Sequence, residues 1–313
     1  MCPPTTAGKR RSEENRMLTV EPVTPSFVAR VTGIDLGQPL QKEALSEISA
    51  AIAKYAILVF PGQQLDDEQH LAFSRNFGPL EIAVTSTKVV TDAKQRLASL
   101  EIGDVSNLDP DNRPRARTDR RRLHELANRI WHTDSSFKPT PAKYSLLYAH
   151  VVPPHGGETE YADLRAGYDA LPEATKAEIQ DLVCIHHLMH SRRSIGFDDY
   201  SPEEEAAFPP VRQRLVRYLP ESGRRTLYLA SHASHIEDWP VPEGRVLLRD
   251  LIEHTTQREF VYRHSWTAGD LVMWDNRCTM HRARPFDERY ARDLRRTTVE
   301  DVAPSCEQAF LAA

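Results

Sequence analysis

The apolar positions of this chain follow two different periods. Leu45, Ile48 and Ile52 fall at i, i+3 and i+7, with the small Ser49 at i+4, the spacing of an amphipathic helix. That helix is expected to run into a strand-like apolar stretch, Ile57 to Phe60, closed by a Pro-Gly turn. A second helix is expected over Asp66 to Asn76, whose acidic first turn and following Gly78 are suitable start and stop signals. Further on the pattern turns to short runs rich in aromatic and β-branched residues. YSLLYAHVV (144–152), VCIHHLM (183–189), RLVRYL (214–219), TLYLA (226–230), EFVYRHSW (259–266) and DLVMWD (270–275) all read as strands. Helical patterns interrupt them at 163–182, split by Pro172, and at 243–256, where Leu247, Leu248, Leu251 and Ile252 form one stripe.

The strands are separated by long irregular insertions and lack a regular βαβ alternation. A mainly β fold with surrounding helices follows, a double-stranded β-helix or jelly roll. Residues 1–16 read as a disordered tail, and 17–313 as one jelly-roll domain with a lid-like insertion around 84–128. Within that insertion DPDNRPRARTDRRRLHE (109–125) carries six arginines, which suits either a solvated loop or a mobile lid beside a site.

Composition narrows the class. Hydrophobic residues make up 40% of the 313 and charged residues 27%, enough to bury a core without help. A net charge of −5 and a pI near 6.2 argue against a nucleic-acid binder, which would show a basic stripe. Cys2, Cys184, Cys278 and Cys306 form no C-x-x-C pair, so a reduced cytoplasmic setting is expected. The N-terminus has no apolar signal core, and AAIAKYAILVF is broken by Lys54 and too short to span a bilayer. Neither secretion nor a membrane span is expected, and a homo-oligomer is left open.

Candidate chemistry begins at WHTDSSF, residues 131–137. With 13 histidines and 21 aspartates in the chain, roughly one His-x-Asp pair arises by chance, and His235-Ile236-Glu237 has the same spacing. If Trp131 to Asp134 is extended, His132 and Asp134 point to one face and Thr133 to the other. Two ligands on one face suit a single metal ion, provided another imidazole arrives from elsewhere. His281, a few residues beyond the strand DLVMWD and its polar Asp-Asn-Arg turn, is the most informative of many candidates. Downstream, Arg292, Leu294, Arg296 and Thr298 share one face of a strand. Guanidiniums directed into a barrel need anionic partners, and small carboxylates match the planar fork; an outer, solvated strand face is the alternative. Thr159 could donate to a carboxylate or be an ordinary strand threonine. Lys88 in TSTKVV is a candidate second anion-binding group. His232, His235 and Glu237 lie in an expected turn, where capping or solvent exposure suffices; His186, His187 and His190 are weaker candidates.

WHTDSSF, GGETEYADLRAGYDALP, GDLVMWDNRCTMH and ARDLRR together resemble the iron(II)- and 2-oxoglutarate-dependent dioxygenases of the taurine and 2,4-dichlorophenoxyacetate dioxygenase family. The resemblance runs from about Met17 to about Val302, and TDSSF, AKYSLL, YDALP, SHASHIE and REFVYRH look closer to the phenoxyacetate branch. It implies His132, Asp134 and His281 as catalytic iron ligands, Thr159 and Arg292 on the distal carboxylate of 2-oxoglutarate, and Arg296 on the anionic group of the primary substrate, with Lys88 beside it. The stretch from Val84 to Glu101 looks longer than in the phenoxyacetate enzymes, so the substrate pocket is expected to differ. The implied reaction consumes iron-activated O2 and 2-oxoglutarate, yields succinate and CO2, and hydroxylates a small organic anion. An aryloxyalkanoate such as 2,4-dichlorophenoxyacetate would give a phenol and glyoxylate; an alkylsulfonate such as taurine would release sulfite. A metal- or ligand-sensing β-barrel is the remote alternative. The metalloprotease pattern H-E-x-x-H is absent from the sequence.

Overall fold

The chain enters as two antiparallel strands, β1 (Thr19–Pro22) and β2 (Val28–Thr32), and then winds the amphipathic helix α1 (Lys42–Tyr55). This computed structural model describes residues 18–84 and 94–308; the tail expected over 1–16, and Lys88, lie outside the described residues. Helix α1 buries Ile48, Ala51, Ile52 and Tyr55 and stops at Ala56, whose φ of 61° is left-handed and whose N–H donates to the Ile52 carbonyl at 2.8 Å. The next residues form β3 (Ile57–Phe60), and α2 (Asp67–Arg75) follows behind a capping box. There the Asp66 carboxylate accepts from the Gln69 N–H at 2.8 Å while the Gln69 side chain accepts from the Asp66 N–H at 3.0 Å.

The remaining strands are β4 (Gly103–Ser106), β5 (Ala142–Val151), β6 (Thr159–Asp163), β7 (Val183–His186), β8 (Val211–Arg214), β9 (Val216–Leu219), β10 (Arg224–Leu227), β11 (Ala233–Ile236), β12 (Val261–His264), β13 (Leu271–Asp275), β14 (Thr279–Ala283) and β15 (Asp293–Glu300). Between them come α3 (Arg120–Glu125), α4 (Leu164–Asp169), α5 (Glu173–Ile179), α6 (Leu188–Arg193), α7 (Pro202–Ala207) and α8 (Val241–Thr255). A seven-stranded sheet runs β1-β2-β3-β13-β5-β15-β4, and a three-stranded sheet runs β12-β6-β14.

Period-two alternation sorts the large sheet's side chains. Leu58, Phe60, Leu146, Tyr148, Leu271 and Met273 pack with Ile48, Ile52 and Phe73 of the two N-terminal helices. Their neighbours Ile57, Val59, Leu147, Ala149, Val272 and Trp274 form a second core with Tyr161 of the smaller sheet. Ala162 and Met280 leave the other side of the smaller sheet and meet Leu164, Tyr168, Leu248 and Leu251 of α4 and α8. The fold is the jelly roll expected from the sequence. After β13 the chain turns through residues 276–278 and re-enters the opposite sheet as β14, which carries His281 inward.

Several expected strands are shorter, and VCIHHLM is not one strand. It pairs as β7 only to His186; His187 donates its N–H to the His232 carbonyl at 2.9 Å and opens α6. The apolar pair Leu188 and Met189 is buried by that short helix, which an apolar run cannot distinguish from a strand. RLVRYL is divided at Leu215, and TLYLA leaves its ladder at Leu227. The arginine-rich run is a solvated loop only in its first part, where residues 111–114 and 116–118 are exposed. Its last three arginines open α3 behind the Asp119 cap, with Arg120 paired to Glu204 of α7 at 2.8 Å, Arg121 to Glu125 at 2.9 Å and Arg122 to Glu288 at 2.5 Å.

Candidate functional site

His281 sits in the middle of β14 and exchanges backbone hydrogen bonds with His132: His132 N–H to His281 C=O at 3.0 Å and His281 N–H to His132 C=O at 2.8 Å. That single bridge fixes two imidazoles far apart in sequence on one side of the barrel mouth. The extended conformation expected for Trp131 to Asp134 is realised as a bridge at His132 alone. The chain turns at Asp134, where Ser135 takes a left-handed φ of 50° and its hydroxyl donates to Glu81 at 2.6 Å. Convergence survives the turn: Asp134 Oδ1 lies 3.9 Å from His132 Nε2 and 3.8 Å from His281 Nε2. Thr133 faces away, as alternation requires, with its hydroxyl within 2.8 Å of the Leu229 carbonyl and 2.9 Å of the Thr279 carbonyl.

The donor chemistry fits a divalent transition metal. His132 Nδ1 lies 2.9 Å from the Ile130 carbonyl, which holds the proton there and leaves the Nε2 lone pair facing the cluster. Burial pushes His132 down to about 4 and His281 well below the ordinary imidazole value, so both rings are neutral ligands at neutral pH. Burial acts to raise Asp134, but Arg296, His281 and His132 outweigh it and hold the carboxyl at about 2. The other carboxylate oxygen accepts from Ser145 at 2.7 Å; Ser145 accepts from Asn276 at 2.9 Å, and Asn276 from Trp274 Nε1 at 2.9 Å. This chain sets the carboxylate plane and leaves Oδ1 toward the imidazoles. Among the described residues these three form the group able to hold a metal ion, with ligand atoms all within 4.8 Å. His235, the rival at equal spacing, lies on β11 with its Nδ1 2.9 Å from the Ser234 hydroxyl and is not in the group.

Two cavities meet at the triad. One is lined by His132, His281, Trp274, Thr159 and Arg292. Arg292 is buried, yet its hydrogen bonds go only to neutral carbonyls, Val105 at 3.2 Å and Gly157 at 3.3 Å. Burial pushes its guanidinium down to about 10, with no carboxylate bonded to it to offset the cost. Gly157 makes this contact possible. Its φ is +75°, and a Cβ there would stand 3.3 Å from Arg292 Nε. Thr159 Oγ1 accepts from Trp266 Nε1 at 3.0 Å, which leaves its own hydrogen to donate.

The second cavity is walled by Ala83, Val84, Val105, Phe137 and Leu188 and carries Arg296, Arg192 and His232. Arg296 donates to Asp134 Oδ1, so it touches a candidate ligand as well as the cavity. His232 was expected at an exposed turn or cap. It is instead 1% exposed and hydrogen-bonded to Ser136 at 3.0 Å, because Phe137 packs against its ring at 4.8 Å and α6 covers it. No sequence signal marked Arg192, and Phe137 was legible only as part of the TDSSF string.

A model of the taurine catabolism dioxygenase TauD, TfdA family matches residues 19–298. The chain belongs to that family. It is 46% identical over 286 residues, 91% of this chain and 99% of its relative, to the α-ketoglutarate-dependent 2,4-dichlorophenoxyacetate dioxygenase of Cupriavidus pinatubonensis. It is 36% identical over 276 residues to a (S)-phenoxypropionate/α-ketoglutarate dioxygenase of Sphingobium herbicidovorans, covering 86% of this chain and 90% of that one. Among solved structures, AAD-2 in complex with Mn(II) and N-oxalylglycine superposes with a TM-score of 0.85 at 50% identity, over 93% of this chain and 100% of its own. The family member described here is accordingly a 2-oxoglutarate-dependent dioxygenase that uses iron(II) and O2, of the phenoxyacetate branch. No helix among the described residues is long and apolar enough to cross a membrane.

Proposed function

We propose that His132, Asp134 and His281 hold the iron, that Thr159 and Arg292 bind 2-oxoglutarate, and that the apolar cavity takes an aryloxyalkanoate such as 2,4-dichlorophenoxyacetate. The observation that carries this reading is the pair of cavities meeting at one triad, each with a guanidinium. One brings together the Arg292 guanidinium and the Thr159 hydroxyl, donors suited to clamping a carboxylate. N-oxalylglycine, found in the AAD-2 structure, has the two carboxylates and the oxo group of 2-oxoglutarate, which agrees with a clamp of this kind.

The residues' tasks follow from their placement. Iron(II), when bound, supplies the redox chemistry of O2 that no side chain can. Three protein ligands on one face leave room for a chelating 2-oxo acid and for O2. Arg292 and Thr159 orient the co-substrate from its far carboxylate, so that its 2-oxo end faces the triad. Val84, Val105, Phe137 and Leu188 exclude water and suit an aromatic ring, while Arg296 offers a fork to the substrate's anionic group. One oxygen atom of O2 leaves in succinate as 2-oxoglutarate loses CO2, and the other enters the C–H bond beside the ether oxygen. The product is a hemiacetal, which expels the phenol and becomes glyoxylate.

The segment 84–128 supplies Val105, His124, Glu125 and Asn128 to the apolar cavity, which supports its reading as the cover of a single catalytic domain over 17–313. The setting proposed is cytoplasmic, in keeping with the free thiols Cys184, Cys278 and Cys306. The test is succinate formation with iron(II) and 2-oxoglutarate across phenoxyacetates, both phenoxypropionate enantiomers and taurine. Phenoxyacetates are expected to give the greatest stimulation, with stoichiometric phenol. Stimulation by taurine with sulfite release, and none by any phenoxy acid, would transfer the assignment to an alkylsulfonate.

A further inference from the structure

Most of the deeply buried arginines of this chain are neutralised where they sit. Arg96 bridges Asp104 and Asp293, Arg165 pairs with Asp163, Arg217 with Asp301 and Arg277 with Asp275. Two are not. Among the described residues neither Arg292 nor Arg192 has an ion pair, and the Nε of each is buried without a hydrogen bond. Arg292 lines the cavity proposed for 2-oxoglutarate. Arg192 lines the other one.

The surroundings of Arg192 hold it in place without discharging it. Its Nη1 donates to the Ser191 hydroxyl at 2.7 Å and to His232 Nε2 at 2.9 Å. A neutral His232 that accepts at Nε2 must carry its proton on Nδ1, which then donates to Ser136 Oγ at 3.0 Å. Ser136 in turn donates to His186 Nδ1, also 3.0 Å away. The chain of neutral groups fixes the rotamer of Arg192 and contributes no negative charge. Burial, followed by Arg192 itself, holds His232 far below its ordinary value, so the ring stays neutral. Glu125 lines the same cavity but is bound to Arg121 at 2.9 Å. Arg296, on the same cavity, donates to the carboxylate of Asp134, a proposed iron ligand. The one guanidinium on this cavity without a carboxylate is therefore Arg192, and Phe137 and Leu188 flank it with apolar surface.

We propose that Arg192 is a specificity-determining residue that binds the anionic group of the primary substrate, sharing it with Arg296, while His232 is its positioning residue. This rests on the reading of the apolar cavity as the substrate pocket. It adds a second cation, contributed by α6, that selects carboxylate-bearing substrates over neutral ones of the same shape. An uncompensated buried guanidinium is costly, and a bound carboxylate at that point relieves the cost only when substrate is present.

The experiment compares the wild type with Arg192→Gln and Arg192→Lys. Succinate formation is read against phenoxyacetate, phenoxyacetamide, taurine and an alkyl sulfate, with KM for 2-oxoglutarate measured in parallel. Loss of a charge-assisted hydrogen bond corresponds to about a ten- to hundredfold change in affinity. The expected result is a rise of about that size in the KM for whichever anion the enzyme accepts with Arg192→Gln, and a smaller one with Arg192→Lys. The KM for 2-oxoglutarate should stay within about twofold and the preference for acid over amide should shrink. Equal KM for the anion in the wild type and Arg192→Gln overturns the proposal. So does parallel loss with both co-substrates in both variants, which would make Arg192 a part of the fold, and so does a wild type that prefers the amide. Failure of phenoxyacetates alone, with another anion accepted and its KM raised in Arg192→Gln, would instead sink the aryloxyalkanoate assignment and leave Arg192 standing.

Discussion

Arg292, just before β15, and Arg296, within it, are four residues apart, yet their surroundings differ. The Arg292 guanidinium donates only to carbonyls, so under the proposed reading Arg292→Ala removes the co-substrate's cation; the KM for 2-oxoglutarate should rise by about a hundredfold, in line with the loss of a charge-assisted fork. Arg296 donates to Asp134 Oδ1 and lies on the cavity proposed for the substrate. Its removal should therefore do two things: raise the KM of the primary substrate, and weaken iron(II) binding several-fold by loosening the carboxylate. Substrate-independent decay of 2-oxoglutarate at saturating iron should persist in Arg296→Ala, whereas Arg292→Ala should lose it at ordinary co-substrate levels. Initial-rate kinetics with varied iron and varied 2-oxoglutarate separate the two. Identical co-substrate KM values in both variants would contradict the division of labour.

The elements show which parts of this arrangement could be read from sequence and why the rest could not. Helices α1 and α2 and strands β3, β5 and β13 follow directly from period and capping signals, because the helices bury one apolar face and the strands are apolar runs buried on both faces. The grouping of His132, Asp134 and His281 was legible because their spacing matches a known family, and the roles proposed for Arg292 and Thr159 rest on the same likeness and on the cavity they share. The partnership of Arg192 with His232 was not, since it is made when β7 ends early and α6 folds over β11, a tertiary event with no local period. The second half of the arginine-rich run misled for a related reason: Glu204 and Glu288, the partners of Arg120 and Arg122, lie far along the chain. Arg96 shows what such pairing is worth to an element. It joins Asp104 of β4 at 2.7 Å to Asp293 of β15 at 2.8 Å, with all three side chains nearly buried, and Asp293 adjoins Arg292 in the chain. Breaking a buried pair strands the remaining charges, at about 3–5 kcal/mol. Arg96→Met should lower unfolding stability in urea by that amount and raise the KM for 2-oxoglutarate as β4 and β15 part. A loss below about 1 kcal/mol would show that water reaches the pair.

At the scale of the whole molecule, the buried histidines outside the metal group couple stability to pH. His70, on α2, is pushed by burial to about 4; His124, under Phe197 and Tyr200, to about 2, with burial again the largest cause; and His186, stacked on Tyr228, to about 3 by burial. In the unfolded chain each returns to the ordinary imidazole value of 6.5. Between pH 6.5 and about 4 the unfolded chain therefore binds protons that the native state refuses, and stability must fall as pH is lowered through that window. The depressed carboxylates act elsewhere: Asp293, at about 2 because Arg96 and Arg295 outweigh the effect of burial, contributes stability that is lost only below the ordinary carboxylate range. At pH 5 each histidine contributes a loss of up to about 2 kcal/mol relative to pH 7. Three dispersed sites together set an upper limit of about 6 kcal/mol, comparable to the whole stability of many domains. Urea unfolding of the iron-free protein at pH 7, 6 and 5 and constant ionic strength should show the midpoint dropping steadily with pH. A midpoint that stays level from pH 7 to 5 would mean that these rings are protonated in the native state as readily as in water, which their burial forbids.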